Sequence, residues 1–202
     1  IPRSEKQKEY VRALRQSDIV ISAGPAGTGK TYIAAAMAAD MFKTHKIHKI
    51  ILTRPNIPAG KSLGFFAGTI EDKIAPWVIP LTEVLEARLG KGRFEVARKR
   101  GDIEIVPFEV MRGRSFNNAF VILDEAQNLT PHEMKMFLTR IGEDSKVIVN
   151  GDVSQHDLKG TSGLQVAIDL LHEHNIPAAH CNFTHDDVVR SGICAMWTRA
   201  FD

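Results

Sequence analysis

Short apolar runs alternate with helical patterns along the whole chain. The apolar runs predict strands at residues 18–22, 49–53, 103–106, 119–123, 146–149 and 178–183. Apolar positions at helical spacing, or helix-forming composition, predict helices at 4–16, 32–42, 71–89, 130–141, 162–174 and 188–201. Because strands and helices alternate, we predict an α/β fold in which a parallel sheet carries helices on both faces.

Two stretches depart from this simple alternation. Residues 54–68 are rich in proline and glycine, which predicts a long loop of the kind that is usually functional. The helix at 71–89 contains Pro76 and Pro80, and we expect these to break or kink it.

Composition limits the class of protein. A chain of 202 residues has room for one α/β domain, so we predict a single domain spanning 1–202. The net charge of +2 means that any nucleic-acid site has to be a local patch. Only two cysteines are present, and no apolar run is long enough to span a bilayer, which predicts a cytoplasmic protein with no membrane partner.

Residues 24–31 read GPAGTGKT, a complete phosphate-binding loop between a predicted strand and a predicted alanine-rich helix. Glycines let backbone N–H groups turn toward an anion, and the helix N-terminus adds partial positive charge. In such a loop Lys30 reaches the β- and γ-phosphates, and the Thr31 hydroxyl holds Mg²⁺. The predicted nucleotide-binding residues of this segment are Gly24, Pro25, Ala26, Gly27, Thr28, Gly29, Lys30, Thr31 and Tyr32.

Two further strands end in polar residues, where ligands bind in open α/β sheets. The run FVIL is followed by Asp124 and Glu125, which predicts that Asp124 holds Mg²⁺ and that Glu125 is the general base. Alone, this pattern also fits a strand followed by an acidic helix cap, but the phosphate loop upstream favours the functional interpretation. After the strand at 146–149, Gln155 is predicted to sense the γ-phosphate, although Gly-Asp is also a common turn.

Several motifs together resemble the PhoH-like ATPases. They are GPAGTGKT, the segment TRPNIPAGKSLGFFAGTIEDKIAPW, MRGRSFNNAFVILDEAQN, MKMFLTRIGEDSK, NGDVSQHDL and DVVR, in this order along nearly the whole chain. The family is similar to the nucleotide-binding core of superfamily 1 helicases. The resemblance therefore implies a RecA-like P-loop NTPase that binds and hydrolyses ATP, with RNA or single-stranded nucleic acid as partner.

The resemblance also implies roles for residues outside the phosphate loop. Gln7 resembles the glutamine that reads the adenine edge, although a solvated helix face is the alternative. Arg54 resembles a residue that contacts the nucleic-acid backbone, and Arg190 a late arginine that touches the γ-phosphate. Arg112 and Arg114 precede the Asp124 strand and are further candidate nucleic-acid contacts, as is the basic run 98–100, unless these charges are merely solvated.

The predicted reaction is attack of water on the ATP γ-phosphate, stabilised by Lys30, Mg²⁺ and an arginine. Since the chain has room for only one nucleotide-binding domain, the arginine is either Arg190 or comes from a neighbouring subunit. We therefore predict a homo-oligomer, such as a ring. Two alternatives are a nucleotide-dependent binding switch without efficient turnover and a small-molecule kinase.

Overall fold

The computed structural model describes residues 2–55, 70–156, 158–189 and 192–201. The predicted loop at 54–68 lies almost entirely outside the described residues, and so does Arg190. The helices are α1 (Glu5–Gln16), α2 (Lys30–Lys43), α3 (Ile70–Leu89), α4 (Lys91–Arg100), α5 (Pro131–Leu138), α6 (Gly163–Glu173) and α7 (Gly192–Phe201). The strands are β1 (Ile19–Ala23), β2 (Lys49–Arg54), β3 (Ile103–Pro107), β4 (Ala119–Leu123), β5 (Lys146–Gly151) and β6 (Ala179–Asn182).

The six strands form one sheet in the order β3-β2-β4-β5-β1-β6, and every neighbouring pair is parallel. This confirms the predicted α/β fold. The order places β5 between β1 and β4, so the ends of the three strands that carry predicted site residues are adjacent. Because carboxyl ends of parallel strands share one edge, segments far apart in the chain meet there.

Helices cover both faces of the sheet, with one apolar core on each side. On one face the core contains Tyr10 and Leu14 of α1, the alanines of α2 and apolar residues of α3. On the other face the core contains Phe137 of α5 and Leu164 of α6. Four alanines of α2 have no exposed surface, and such small side chains allow a helix to lie close to a sheet.

The structure confirms the helix predicted at 71–89, and helix α3 is unbroken over twenty residues, so Pro76 and Pro80 do not break it; the predicted kink stays a prediction. Val78, Leu81 and Leu85 of this helix are buried in the core. A proline inside a helix costs about 3 kcal/mol, and burying a few large apolar side chains offsets that cost. Tertiary packing has therefore overridden the local signal.

Helix α4 was not predicted, because its charged residues 98–100 concealed any apolar spacing. Its boundaries come from glycines: Gly90 and Gly101 both adopt positive φ, at 84° and 77°. Gly101 ends the helix in the left-handed conformation that commonly follows a helix. Helix α5 confirms the predicted start, since Thr130 and Glu133 form a reciprocal capping box. None of the helices in the described ranges is both long and apolar enough to cross a bilayer.

Candidate active site

A cleft of about 300 Å³ opens at the carboxyl ends of β1, β4 and β5. It is lined by residues from three separate segments, including Lys30, Thr31, Asp124, Glu125 and Gln155. All five residues were predicted from three separate motifs of the sequence. The fold brings an ammonium, a hydroxyl, two carboxylates and an amide into one small space.

The start of the phosphate loop requires glycine. Gly24 has φ of 135°, and a Cβ atom there would lie 2.3 Å from the carbonyl oxygen of Phe183. Its amide donates to the Gly151 carbonyl at 2.9 Å, which ties the loop to the end of β5. Gly29 has φ of 81°, and a Cβ would approach the side-chain nitrogen of Gln7 to 2.8 Å. Close contact with backbone at Gly24 and with a side chain at Gly29 therefore shapes the loop.

Lys30 is buried beneath the loop that it follows. Its Nζ donates to the carbonyls of Gly24 at 2.9 Å and Pro25 at 2.8 Å. Burial lowers the pKa of Lys30, while the nearby carboxylates of Asp124, Asp152 and Glu125 oppose that change. A buried ammonium favours an anionic partner, and phosphate oxygens could replace the two carbonyls.

Asp124 and Glu125 lie where β4 ends. The Asp124 amide donates to the Thr53 carbonyl of β2 at 2.9 Å, which fixes the end of the strand. Burial, and secondarily the charge of Glu125, raise the pKa of Asp124, whereas Arg54 and Lys30 oppose this effect. Glu125 has φ of 52°, a left-handed conformation that costs an ordinary residue about 1–3 kcal/mol. The chain turns sharply there, and both carboxyl groups line the cleft.

Gln127 is the site residue to which the sequence analysis gave no role. It is only 3% exposed, and its Nε2 donates to Oε2 of Glu125 at 2.6 Å. Its Oε1 accepts from the amide of Asp152 at 3.1 Å. One amide side chain thus bridges the loops that follow β4 and β5. Its signal in the sequence was its position two residues after Glu125, in the motif that carries the family resemblance.

Gln155 is exposed and lines the cleft from the loop after β5. This loop begins with Asp152, whose Oδ1 accepts from the Ser154 amide at 3.0 Å and from the Ser154 hydroxyl at 2.6 Å. The amide of Gln155 donates to the Asp152 carbonyl at 3.0 Å. These local bonds fix the conformation of the loop that places Gln155 on the wall of the cleft.

Gln7 lies beside the phosphate loop rather than in the cleft. It is 5% exposed, so the solvated alternative is wrong. Its Nε2 donates to the Thr28 carbonyl at 2.9 Å, and its Oε1 accepts from the Arg3 amide at 2.6 Å. One N–H and one lone pair of the amide remain for another partner. The predicted contact with adenine remains a prediction, and the observed bonds show that Gln7 supports the loop.

The other residues of the predicted nucleotide site differ in how they face the cleft. Tyr32 is 57% exposed and lines both the cleft and the adjoining groove. Gly24, Ala26, Gly27 and Gly29 also line the cleft. The side chain of Thr28 is buried, with its hydroxyl directed to the Pro25 carbonyl at 3.4 Å, so it does not face the cleft.

Oxygen donors in the cleft fit Mg²⁺. Thr31 offers a hydroxyl and Asp124 a carboxylate, both hard ligands of the type that Mg²⁺ prefers. Among the described residues, in this cleft and outside it, no three His, Cys, Asp or Glu side chains are grouped so that they could hold a metal ion by themselves. Mg²⁺ is usually held by one or two protein oxygens together with substrate phosphates, and this donor set suits that mode.

The basic residues predicted to contact nucleic acid have distinct surroundings. Arg54 ends β2 and is close enough to Asp124 to stabilise its charge. Arg112 forms an ion pair with Glu133 at 3.1 Å. Arg114 forms one with Glu104 at 2.9 Å, and Lys49 bonds to the same carboxylate at 2.6 Å. Arg114 therefore already stabilises the fold through Glu104.

Solved structures with a similar fold include a bacteriophage terminase and two helicases. The large terminase of a thermophilic bacteriophage has a TM-score of 0.58 at 13% identity, covering all of this chain and 51% of its own. The UvsW helicase of bacteriophage T4 has a TM-score of 0.53 at 11% identity, covering 91% and 60%. The DUF1998 helicase MrfA bound to DNA has a TM-score of 0.52 at 10% identity, covering 90% and 27%. At such low identity these matches establish the RecA-like fold alone.

Sequence relatives are much closer. A PhoH-like protein of Bacillus subtilis is 48% identical over 198 residues, which is 97% of this chain and 62% of the relative. Protein PhoH of Escherichia coli K12 is 43% identical over 205 residues, covering the whole chain and 58% of the relative. The chain thus spans about three fifths of the length of these curated relatives. The family profile described as PhoH-like protein matches residues 1–202, and the chain therefore belongs to the PhoH-like family of P-loop nucleotide-binding proteins.

Proposed function

We propose that this chain binds ATP with Mg²⁺ and hydrolyses it to ADP and phosphate. The observation that carries the proposal is the single cleft that contains Lys30, Thr31, Asp124, Glu125 and Gln155. These are the group types that phosphoryl transfer needs, namely a phosphate-binding cation, metal-binding oxygens and a base or water-orienting residue.

At the phosphate end, Lys30 exchanges its two carbonyl contacts for oxygens of the β- and γ-phosphates. Thr31 and Asp124 would hold Mg²⁺, which would neutralise phosphate charge. The helix dipole of α2 and the loop amides add partial positive charge on the same side. Tyr32 and Gln7 border the adjoining groove, where the nucleoside is placed.

Glu125 orients the attacking water and accepts its proton as the new O–P bond forms and the bond to the bridging oxygen of ADP breaks. Gln127 is a positioning residue, because its amide fixes the Glu125 carboxylate at 2.6 Å. Gln155 places an amide near the γ-phosphate. The arginine that completes the site is Arg190 or a residue of a neighbouring copy, so we propose a homo-oligomer, such as a ring.

We further propose that hydrolysis is coupled to RNA or single-stranded nucleic acid. The helicase likeness of the fold and the DNA bound to MrfA support this proposal. Arg54, Arg112 and Arg114 are the candidate contacts, but Arg112 and Arg114 would have to exchange carboxylate partners for phosphates. A chain with only two cysteines fits the predicted cytoplasmic location.

The decisive test compares Glu125→Gln, Lys30→Ala and the control Glu173→Gln, which alters an exposed carboxylate at the end of α6. We expect Glu125→Gln to bind Mg-ATP with the wild-type affinity in calorimetric titrations. In a steady-state assay of phosphate release, its turnover should fall at least a hundredfold. Lys30→Ala should lose Mg-ATP binding, and Glu173→Gln should match the wild type.

If Glu125→Gln hydrolyses ATP at the wild-type rate, Glu125 is not the base. If the wild type binds Mg-ATP but does not turn it over with or without single-stranded RNA, the protein is a nucleotide switch instead. Stimulation by RNA that declines steeply with salt would support nucleic-acid coupling. For a single strand, each phosphate contact should lower the logarithm of the RNA affinity by roughly 0.7 for each tenfold rise in salt.

A further inference from the structure

Asn150 is a buried polar residue beside the cleft to which the proposed reaction gives no role. It is the penultimate residue of β5, directly before Gly151 of the cleft wall, and it has no exposed surface. Its Oδ1 accepts from the Ser22 hydroxyl of β1 at 2.5 Å, and the Tyr10 hydroxyl of α1 lies 3.5 Å from the same oxygen. Its Nδ2, in contrast, makes no hydrogen bond to any residue that the structure describes.

A buried amide nitrogen without an acceptor is rare in folded proteins. Removing such a donor from water costs free energy that only a hydrogen-bond partner offsets, so an orphaned donor points to a function beyond packing. Packing alone does not require an amide here, because Val147, Ile148 and Val149 of the same strand are fully buried and apolar.

The register of the sheet identifies the neighbour of Asn150 on the side away from β1. Leu123 of β4 pairs with Val149 of β5, so one residue further along each strand Asp124 lies beside Asn150. The Asp124 amide still donates to a carbonyl of β2, so strand geometry extends to this residue. Adjacent strands are about 4.8 Å apart, which places the two backbones side by side.

The side chains of Asp124 and Asn150 also lie on the same face of the sheet. Ile122 and Ile148 both belong to the core that α1 and α2 cover, and side chains alternate along a strand, so the residues two positions later return to that face. The Ser22 hydroxyl holds Oδ1 on the β1 side, and Nδ2 of the planar amide then faces β4. The reverse orientation of the amide would set its oxygen against the carboxylate of Asp124.

The electrostatics of Tyr10 agree with this placement. Burial raises the pKa of Tyr10, and the charge of Asp124 acts in the same direction. The Asp124 carboxylate therefore lies within electrostatic reach of a hydroxyl that borders the Asn150 amide. Because the phenol stays protonated, it remains a donor toward Oδ1, which leaves Nδ2 as the free half of the amide.

We infer that Asn150 is a positioning residue of the ATP site, whose amide donates to Asp124 and orients that carboxylate for Mg²⁺. The inference rests on the proposed function, because that function assigns Asp124 to the metal. The bond requires a rotation of the Asp124 side chain, since the two backbones already lie side by side. Mg²⁺ demands near-ideal octahedral geometry, so a carboxylate with a fixed orientation suits it better than a rotating one. Each carboxylate of the cleft then has its own amide, Gln127 for Glu125 and Asn150 for Asp124.

The test measures how strongly Mg²⁺ tightens the binding of AMP-PNP, an ATP analogue that resists hydrolysis. Calorimetric titrations are done once with EDTA and once with Mg²⁺, and the ratio of the two dissociation constants is the Mg²⁺ enhancement. A general defect in the fold weakens both titrations equally and leaves this ratio unchanged. Loss of orientation at the metal ligand lowers the ratio alone.

Asn150→Leu removes the amide and keeps the approximate volume of the side chain. We expect its affinity for AMP-PNP in EDTA to stay within about twofold of the wild type while the Mg²⁺ enhancement falls at least tenfold, because a hydrogen bond to a charged group is worth roughly 10- to 100-fold. Asn150→Ala should show the same pattern, and it replaces Asn150→Leu if thermal unfolding shows that the leucine is not accommodated.

Tyr10→Phe is the matched control. It removes a hydroxyl from the Oδ1 side of the same buried amide and leaves Nδ2 unchanged. If the Mg²⁺ enhancement depends on Nδ2, Tyr10→Phe should keep the wild-type ratio even where its thermal stability is lower.

A wild-type Mg²⁺ enhancement in both Asn150 variants would overturn the inference and leave the proposed function standing. An equal loss of affinity with EDTA and with Mg²⁺ would also overturn it, because that result shows a purely structural role. A wild-type protein that binds AMP-PNP equally well with and without Mg²⁺ would contradict the proposed metal site itself, and the inference would fail with it.

Discussion

Gln127 offers the sharpest test of how the active site is built. Its amide donates to Glu125 at 2.6 Å and accepts from the Asp152 amide at 3.1 Å, and the side chain is nearly fully buried. Gln127→Leu keeps the approximate volume but removes both bonds. The lost bond to a charged group is worth about 1.5–3 kcal/mol, and the unpaired Asp152 N–H costs about 1–3 kcal/mol. We expect kcat to fall roughly 10- to 100-fold with KM for Mg-ATP within about twofold.

Gln127→Glu separates positioning from packing. The introduced carboxyl group can still accept from the Asp152 amide, but it can donate to Glu125 only while protonated. Two carboxylates about 4 Å apart repel by ~4 kcal/mol at an effective dielectric constant of 20. The introduced group therefore keeps its proton at higher pH than an isolated glutamic acid. Lowering the pH restores the donor, so we expect kcat of this variant to rise as pH falls from about 8 to about 6.

The assay is steady-state phosphate release between about pH 6 and 9, with thermal unfolding of each variant measured in parallel. Gln127→Leu should stay slow at every pH, because it has no proton to regain. Gln16→Leu, an exposed amide at the end of α1, is the control. Wild-type turnover in Gln127→Leu, or a pH profile of Gln127→Glu that follows that of the wild type, would refute the positioning role.

Two further predictions concern the loop and the thiols. Gly24→Ala forces a Cβ to within 2.3 Å of the Phe183 carbonyl at φ of 135°, so we expect a lower Tm and weakened Mg-ATP binding, and an unchanged Tm would contradict the loop geometry. Burial raises the pKa of Cys181 to about 11, whereas Cys194 is exposed, so a thiol reagent at about pH 8 should label one thiol per native chain. Cys194→Ser should abolish that labelling, and two rapidly reacting thiols would show that Cys181 is accessible.

Much of the local chemistry was readable from short stretches. The phosphate loop, the strand before Asp124 and the start of helix α5 each depend on neighbours within a few residues, and in the structure the loop lies between a strand and a helix, the strand spans 119–123 and the helix follows Thr130. Alternation of strands and helices likewise predicted the parallel sheet. These features can be predicted because the apolar periodicity of a strand or a helix is visible within a short window of sequence.

Local propensity was a poor guide wherever packing outweighed it. Helix α3 runs through Pro76 and Pro80 because its other residues are anchored in the core. Helix α4 forms between two glycines although charged residues dominate its sequence. The ion pair that occupies Arg114 was also invisible, since Glu104 is on a different element.

By itself, the sequence determined which groups are present for phosphate and metal chemistry, and that they follow strands. The tertiary structure decided how they act together. Strand order places β5 between β1 and β4, so Gln127 can join Glu125 to the backbone of Asp152. These relations join residues far apart in the chain, and no local pattern encodes them, because they arise only when strands pair and helices pack.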